Sequence, residues 1–273
     1  MGSGQKNDDA AQQINRLITI MARLRDKDSG CPWDIEQDFG SIAPYTIEEA
    51  YEVLDAIERA DWPDLEGELG DLLLQCVFHA QMGAEAGLFD LASIARAICD
   101  KMVARHPHVF GDESRDKSAA QQTVDWEKIK SAERAGRNEG GALDGVALAL
   151  PALMRAAKLQ KRAARVGFDW PETAQVLDKI AEESAELVEA HATLTADEVE
   201  EEMGDLLFVM ANLARHLEVD PEAALRRANA KFTRRFNVIE RELRAAGSSP
   251  AQSTLEEMDA IWNKVRAADK LKS

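Results

Sequence analysis

An acidic motif occurs twice in this chain at a fixed offset of 134 residues. Glu48-Glu49-x-x-Glu52 reappears as Glu182-Glu183-x-x-Glu186, and Glu68-Leu69-Gly70-Asp71 reappears as Glu202-Met203-Gly204-Asp205, with no gap between the motifs. Leu72-Leu73 then falls on Leu206-Leu207. Looser echoes flank this block: Trp33 with Trp170, Lys101 and Arg105 with Lys231 and Arg235, and Trp126 and Lys130 with Trp262 and Arg266. Two copies are too few for a solenoid, so the pattern reads as a duplicated domain. The expected division is a first domain over 13–135, a linker over 136–147 and a second domain over 148–268.

Apolar residues recur at three- and four-residue spacing, Ala, Leu, Glu and Arg abound, and no period-2 run with hairpin chemistry appears. The expected fold class is therefore all-α. Breaks are expected at Ser29-Gly30-Cys31-Pro32, at Asp61-Trp62-Pro63, over 82–88, and at His106-Pro107-His108 running into Gly111. Others fall over 136–145, 167–171 and 247–250. The stretch 111–145 is mostly polar apart from a helical pattern over 126–134, which suits an interdomain connection.

Turning each residue by about 100° along a helix over 176–190 places Val176, Leu177, Ile180, Ser184, Leu187 and Val188 on one arc of about 120°, the expected core face. Glu183 lies within about 20° of its edge, with Lys179 and Glu186 on the same flank. On the next helix Val199, Met203, Leu206, Val209, Met210 and Leu213 form the stripe, with Glu202 inside it and Asp205 at its edge. A carboxylate in an apolar stripe must be paired, hydrogen-bonded or metal-bound, because burying it ionised and alone is costly. The plain alternative is a solvated acidic face. Repetition of the same placement in both copies argues against it. In the first copy Thr46-x-x-Glu49 also fits a capping box, which would give Glu49 a structural role.

All-oxygen ligation suits Mg²⁺, with Mn²⁺ as a possible substitute, rather than zinc. A di-iron bundle would need Glu-x-x-His pairs, which these motifs lack. The wider composition sets the same limits. With 50 acidic against 33 basic residues the net charge is −17, which excludes a general binder of nucleic-acid polymers. A small anionic ligand is still admissible if a metal and local cations receive it. Cys31, Cys76 and Cys99 are odd in number and form no CxxC pair, which fits a reducing cytosol. The polar first residues carry no apolar signal core, and the most apolar stretch, 206–213, is too short to span a bilayer. The expectation is a soluble cytoplasmic protein with no membrane partner.

The CPWD tetrad at 31–34, the paired EExxE…ExxD motifs, HPHVF at 106–110, the WExIK run at 126–130 and GFDW at 167–170 together resemble the MazG family of nucleoside triphosphate pyrophosphohydrolases. The resemblance covers about residues 14–266, and the ordered set is far more specific than a lone EExxE. It implies two tandem all-α bundles completed by homodimerisation. It also implies Mg²⁺-dependent hydrolysis of nucleoside triphosphates to the monophosphate and pyrophosphate. Position by position, Glu183, Glu186, Glu202 and Asp205 match metal ligands, as do Glu49, Glu52, Glu68 and Asp71 in the first copy. Lys179, Lys231, Arg234 and Arg235 match phosphate contacts, and Trp262 matches an aromatic near the base. Such a layout is chemically coherent: cations stabilise charge developing on phosphate oxygens, and an aromatic face stacks on any base. Glu182 is a candidate to orient or deprotonate the attacking water, or is simply a surface residue.

The copies are unequal. Tyr45 stands where the second copy has Lys179, Ala104-Arg105 stand near the place of Arg234-Arg235, and Gln75 and His79 replace Val209 and Leu213. The main catalytic site is therefore expected in the second copy. His106 and His108 are read as a structural turn, Cys31-Pro32-Trp33 as a turn with a packing anchor, and Trp33 and Trp170 as core residues. Two rival functions stand beside the general enzyme. One is a narrower house-cleaning activity on noncanonical or deoxynucleotides, and the other is a helical module that senses nucleotides without turnover.

Overall fold

The computed structural model describes residues 3–116, 118, 119, 121, 122, 125, 126, 129 and 141–271. Lys130, most of the WExIK run and the part 136–140 of the expected linker lie outside the described residues. Among those described there is no strand, and the chain divides into two compact units, Met1–Lys130 and Ser131–Ser273.

The first unit contains α1 (Ser3–Leu24), α2 (Pro32–Glu36), α3 (Phe39–Arg59), α4 (Trp62–Glu85), α5 (Leu91–Arg105) and α6 (Pro107–Phe110). The long α3–α4 hairpin is its framework, with α1 laid on α4. Met21, Ile42, Val77, Phe78 and Met82 form the core where these three helices meet. The turn before α2 is tight because a Cβ at Gly30 would stand 2.4 Å from the Leu24 carbonyl oxygen. Pro32 then opens α2, where its missing N–H costs nothing. The expected break over 82–88 begins too early, since α4 continues to Glu85. Gly83 stays helical and lets the Phe89 ring close over it, at 2.5 Å from where a Cβ would be.

The second unit contains α7 (Ala152–Arg165), α8 (Thr173–Thr193), α9 (Ala196–His216), α10 (Pro221–Ala245), a 3₁₀ turn (Pro250–Gln252) and α11 (Leu255–Lys270). Here α8 and α9 form the hairpin, α7 packs on α9 and α10, and α11 packs on α10. The 134-residue offset holds for helix boundaries as well as for sequence: Phe39 and Arg59 fall on Thr173 and Thr193, and Trp62 falls on Ala196.

Caps fix these boundaries. Asp38 and Ser41 form a reciprocal capping box at the start of α3, and Thr195 with Glu198 does the same for α9. Because α3 starts at Phe39, Thr46 lies two turns inside it, and its hydroxyl meets Ile42 O at 3.4 Å and His79 Nε2 at 3.0 Å. The capping-box reading of Thr46 and Glu49 is thereby overturned. Glu49 has no helix end to cap.

Candidate metal and phosphate site

The buried positions of α8 recur every seven residues at Val176, Glu183 and Ala190. The same register in α3 is Ile42, Glu49 and Ala56, where Ile42 and Ala56 are buried and Glu49 is half-buried. In both copies a carboxylate therefore occupies the middle place of a core row that faces the partner helix. The partner helix answers with its own carboxylate one heptad before a buried residue: Glu202 before Val209 in α9, and Glu68 before Gln75 in α4. The carboxylates meet because the helix pairing that buries Val176 and Val209 brings these positions together.

In the second unit, oxygens of Glu183, Glu186 and Glu202 lie within 4.8 Å of one another. Glu183 is 5 % exposed, Glu202 half-buried and Glu186 exposed. Burial raises the Glu202 carboxyl above its ordinary pKa, and the neighbouring charges of Glu186, Glu183 and Asp205 add to the shift. Asp205 thus stands beside the trio without joining it. Lys179 Nζ sits 2.7 Å from Glu183 Oε1 and 2.9 Å from Glu182 Oε1. These two hydrogen bonds, Glu183 first, hold its ammonium above the usual lysine range. Glu182 is exposed and touches the site through Lys179.

In the first unit the trio is Glu49, Glu68 and Asp71. Burial pushes Glu49 up first, followed by the charges of Asp71 and Glu52, and Glu68 is raised by burial and by Glu52. Glu52 stands beside this trio as Asp205 stands beside the other. Tyr45 stands in the place of Lys179, and its ring meets Trp33 edge-on at 6.1 Å. Glu49 instead meets the amide of buried Gln75, whose Nε2 is 3.5 Å away.

The remaining predicted residues form a separate group on α10 and α11. Asp269 accepts from Arg234 through both oxygens, at 2.9 and 2.7 Å, and from Arg235 Nε at 2.9 Å. Arg235 lies over the Trp262 ring at 5.3 Å, and Phe232 flanks the ring at 5.5 Å. Lys231 is exposed one turn before Arg234 and Arg235. The carboxylates and Lys179 are thus brought together on α8 and α9, and Arg234, Arg235 and Trp262 on α10 and α11. Among the described residues, no ion pair joins the two groups.

Several packing expectations are corrected. Leu177 and Val188 are 51 % and 71 % exposed, and Met203 and Met210 are exposed too. The apolar arcs of α8 and α9 are wider than one partner helix can cover. Trp33 is half exposed, though it packs edge-on against Tyr45 and Phe78. His106 and Pro107 do form a turn, between α5 and α6, with His106 Nδ1 2.6 Å from Met102 O.

One feature had no distinct sequence signal. A cavity of about 480 Å³ opens between α7, α9 and the loop before α8, lined by Phe168, Trp170, Phe208, Gln160, Asn212 and Arg215 among others. Trp170 lines this cavity and is 36 % exposed, so it is not the core residue the sequence suggested. The GFDW run marks the spot, but only the fold shows that residues from three elements enclose a space there.

Residues 37–110 and 172–239 match the MazG nucleotide pyrophosphohydrolase domain, so each carboxylate trio falls inside one match. Over 93 % of this chain, and 97 % of the relative, the sequence is 53 % identical to a nucleoside triphosphate pyrophosphohydrolase of Escherichia coli. It is 41 % identical to the nucleoside triphosphate pyrophosphohydrolase/pyrophosphatase MazG of Thermotoga maritima, over 94 % of this chain and 96 % of that protein. A nucleoside triphosphate pyrophosphohydrolase of Mycobacterium tuberculosis shares 34 % identity over 58 % of the chain and 48 % of its own length. With two domain matches, each carrying its own carboxylate trio, and near full-length similarity to such proteins, this chain belongs to the MazG family.

Proposed function

We propose that this protein is a Mg²⁺-dependent nucleoside triphosphate pyrophosphohydrolase. It converts ribo- and deoxynucleoside triphosphates to the monophosphate and pyrophosphate, with its main site in the second unit. The observation that carries the reading is the buried Glu183, set in a trio of carboxylates and shared by Lys179. Crowded carboxylates, among which the carboxyl of Glu202 has its proton affinity raised, are a poor arrangement alone and a good one around a hard cation, and all their donor atoms are oxygens. Glu183, Glu186, Glu202 and Asp205 would hold the ion, and Glu49, Glu52, Glu68 and Asp71 would hold another in the first unit. Mn²⁺ would serve as a substitute. When bound, the ion supplies the positive charge that lets an acidic protein accept a triphosphate.

The chain's own groups do the rest. Lys179 can exchange a carboxylate for a phosphate oxygen by a small rotation of its long side chain. Lys231, Arg234 and Arg235 steady charge on the phosphates, and the ring of Trp262, packed against Arg235 and Phe232, supplies an aromatic surface for a base. Glu182, tied to Lys179, can accept the proton of a water that attacks in line as pyrophosphate leaves. The names of the Escherichia coli and Thermotoga maritima relatives support the reaction. The exposed apolar residues of α8 and α9 support a homodimer, and the three free cysteines suit a cytoplasmic setting. No helix among the described residues is long and apolar enough to cross a membrane.

The test is product analysis with a panel of NTPs and dNTPs plus Mg²⁺. Pyrophosphate and monophosphate are expected, and orthophosphate in their place overturns the reaction. Nucleotide binding with no turnover of any triphosphate would favour a sensing module.

A further inference from the structure

The two units surround the same acidic positions differently. In the second, Lys179 Nζ lies 2.7 Å from Glu183 Oε1, so an ammonium already stands against the carboxylate that a metal ion would use. In the first, Tyr45 holds that position, and among the described residues no Lys or Arg forms an ion pair with Glu49, Glu52, Glu68 or Asp71. A divalent ion entering the second cluster must displace Lys179 or bear its repulsion. An ion entering the first meets no such competitor.

The first cluster also has a neighbour that the second lacks. Gln75 and His79 of α4 stand where α9 has Val209 and Leu213, so a stretch of helix that is apolar in one unit is polar in the other. His79 is accounted for, since its Nε2 is 3.0 Å from Thr46 Oγ1 and its ring stacks on Phe39 at 5.8 Å. Gln75 is not. It is 8 % exposed, its Nε2 reaches Glu49 Oε1 only at 3.5 Å, and its Oε1 is buried with no hydrogen-bond partner among the described residues. A native structure rarely leaves a buried amide so poorly paired, because its desolvation is then uncompensated. The contact with Glu49 sets this amide against the cluster, and a half-turn about its last side-chain torsion exchanges nitrogen for oxygen there. An ion held by Glu49 supplies what the oxygen lacks, either directly or through a water that the ion retains.

We propose that Glu49, Glu52, Glu68, Asp71 and Gln75 form a resident site for a hard divalent cation, filled by the bare ion. The second unit takes its ion mainly together with a triphosphate, whose oxygens draw Lys179 off Glu183. This order of filling rests on the metal reading of the carboxylates proposed above, and gives the first copy a task other than turnover. Its carboxylates come from α3 and α4, so the ion ties together the hairpin that frames the first unit.

The experiment titrates the full chain, free of nucleotide, with Mn²⁺ by calorimetry, and follows melting in EDTA and in Mn²⁺. The wild type should show one tight class of sites and a second that is at least about tenfold weaker. Glu49→Gln should abolish the tight class and Glu183→Gln only the weak one, while Lys179→Met should tighten the weak one about tenfold. Gln75→Val installs the residue found in the second copy. It should weaken the tight class about tenfold, with the melting temperature in EDTA held or raised. An amide with a purely structural role would instead lower that temperature and leave the affinity for Mn²⁺ unchanged, which would remove Gln75 from the site. The order of filling is overturned by two classes of equal affinity, by a tight class lost in Glu183→Gln, by a weak class unmoved in Lys179→Met, or by no binding of the bare ion. Failure of the enzymatic reading shows separately, as no turnover of any triphosphate with Mg²⁺ or Mn²⁺, and the titration still decides the first unit.

Discussion

Lys179 Nζ lies 2.7 Å from Glu183 and 2.9 Å from Glu182, so one ammonium is shared between a buried carboxylate and an exposed one a single residue apart. The first copy offers Tyr45 at that position and leaves Glu49 to an amide. Lys179→Met should therefore leave Glu183 buried without its cation, at a cost on the order of 1–3 kcal/mol. The expected result is a lower melting temperature in EDTA, a gap that narrows when Mg²⁺ is added, and a loss of turnover that Mg²⁺ does not restore. The raised pKa of Lys179 means its contribution is complete below the ordinary lysine value and lost only as pH climbs through the higher folded one. Between pH 6 and 9 the gap in EDTA should stay flat, as pH-dependent melting would show. An unchanged melting temperature in EDTA would falsify the pairing as a stabilising contact.

The two trios give the next prediction. Glu183→Gln removes the charge from the middle of a core row and keeps the shape. It should lower kcat/KM for NTP hydrolysis by about 100-fold or more, while Glu49→Gln should stay within roughly threefold. Steady-state kinetics on the two variants decide it, and the opposite pattern would move the main site to the first unit. Wild-type protein should also gain thermal stability with Mg²⁺, by about 2.7 kcal/mol at 100 times Kd. Glu183→Gln should lose the share contributed by the second unit.

Sequence reasoning reached the all-α fold class and the repeat because helix period and exact motif offset are local, one-dimensional signals. It also placed Glu183 at the core face, since residues 176, 183 and 190 share a face in any helix. It failed on Thr46, because a capping box and a mid-helix Thr-x-x-Glu read alike until Asp38 and Ser41 are seen to start α3 earlier. It overfilled the core at Leu177 and Val188, because periodicity shows which residues are apolar but not how much of the arc a neighbour covers. The grouping of Asp269 with Arg234 and Arg235 and the amides facing the cavity depend on contacts between elements, which spacing does not encode.

That uncovered arc leads to a prediction about assembly. Leu177, Val188, Met203, Leu207 and Met210 are 44–71 % exposed, and all lie on the two helices that carry the trio. A second copy laid on this face would bury them and exclude water beside the carboxylates. Light scattering should give twice the 30.1 kDa chain mass, and Leu207→Glu with Met210→Glu should give monomers with turnover reduced at least about tenfold. A wild-type monomer that hydrolyses NTPs at full rate would rule out this assembly.

Asp269 is the last residue with a defined consequence. Arg234 and then Arg235 hold its carboxyl down at about 2, and the shared carboxylate fixes both guanidinium groups, that of Arg235 over Trp262. A depressed pKa contributes stability above the ordinary aspartate value and loses it as pH falls through the folded one. Any stability gap between wild type and Asp269→Asn should therefore be constant from pH 5 to 8 and close only in strongly acidic solution. The effect on function is separate from this. Once the anchor is neutral, both arginines must be ordered by the substrate itself, so KM should rise by about tenfold while kcat changes less. Arg235→Lys should reproduce part of the rise, because a lysine cannot keep one nitrogen on Asp269 and present others to a phosphate. Kinetics on both variants test the anchoring role, and a KM unchanged in Asp269→Asn would show that Arg234 and Arg235 need no anchor to meet a phosphate.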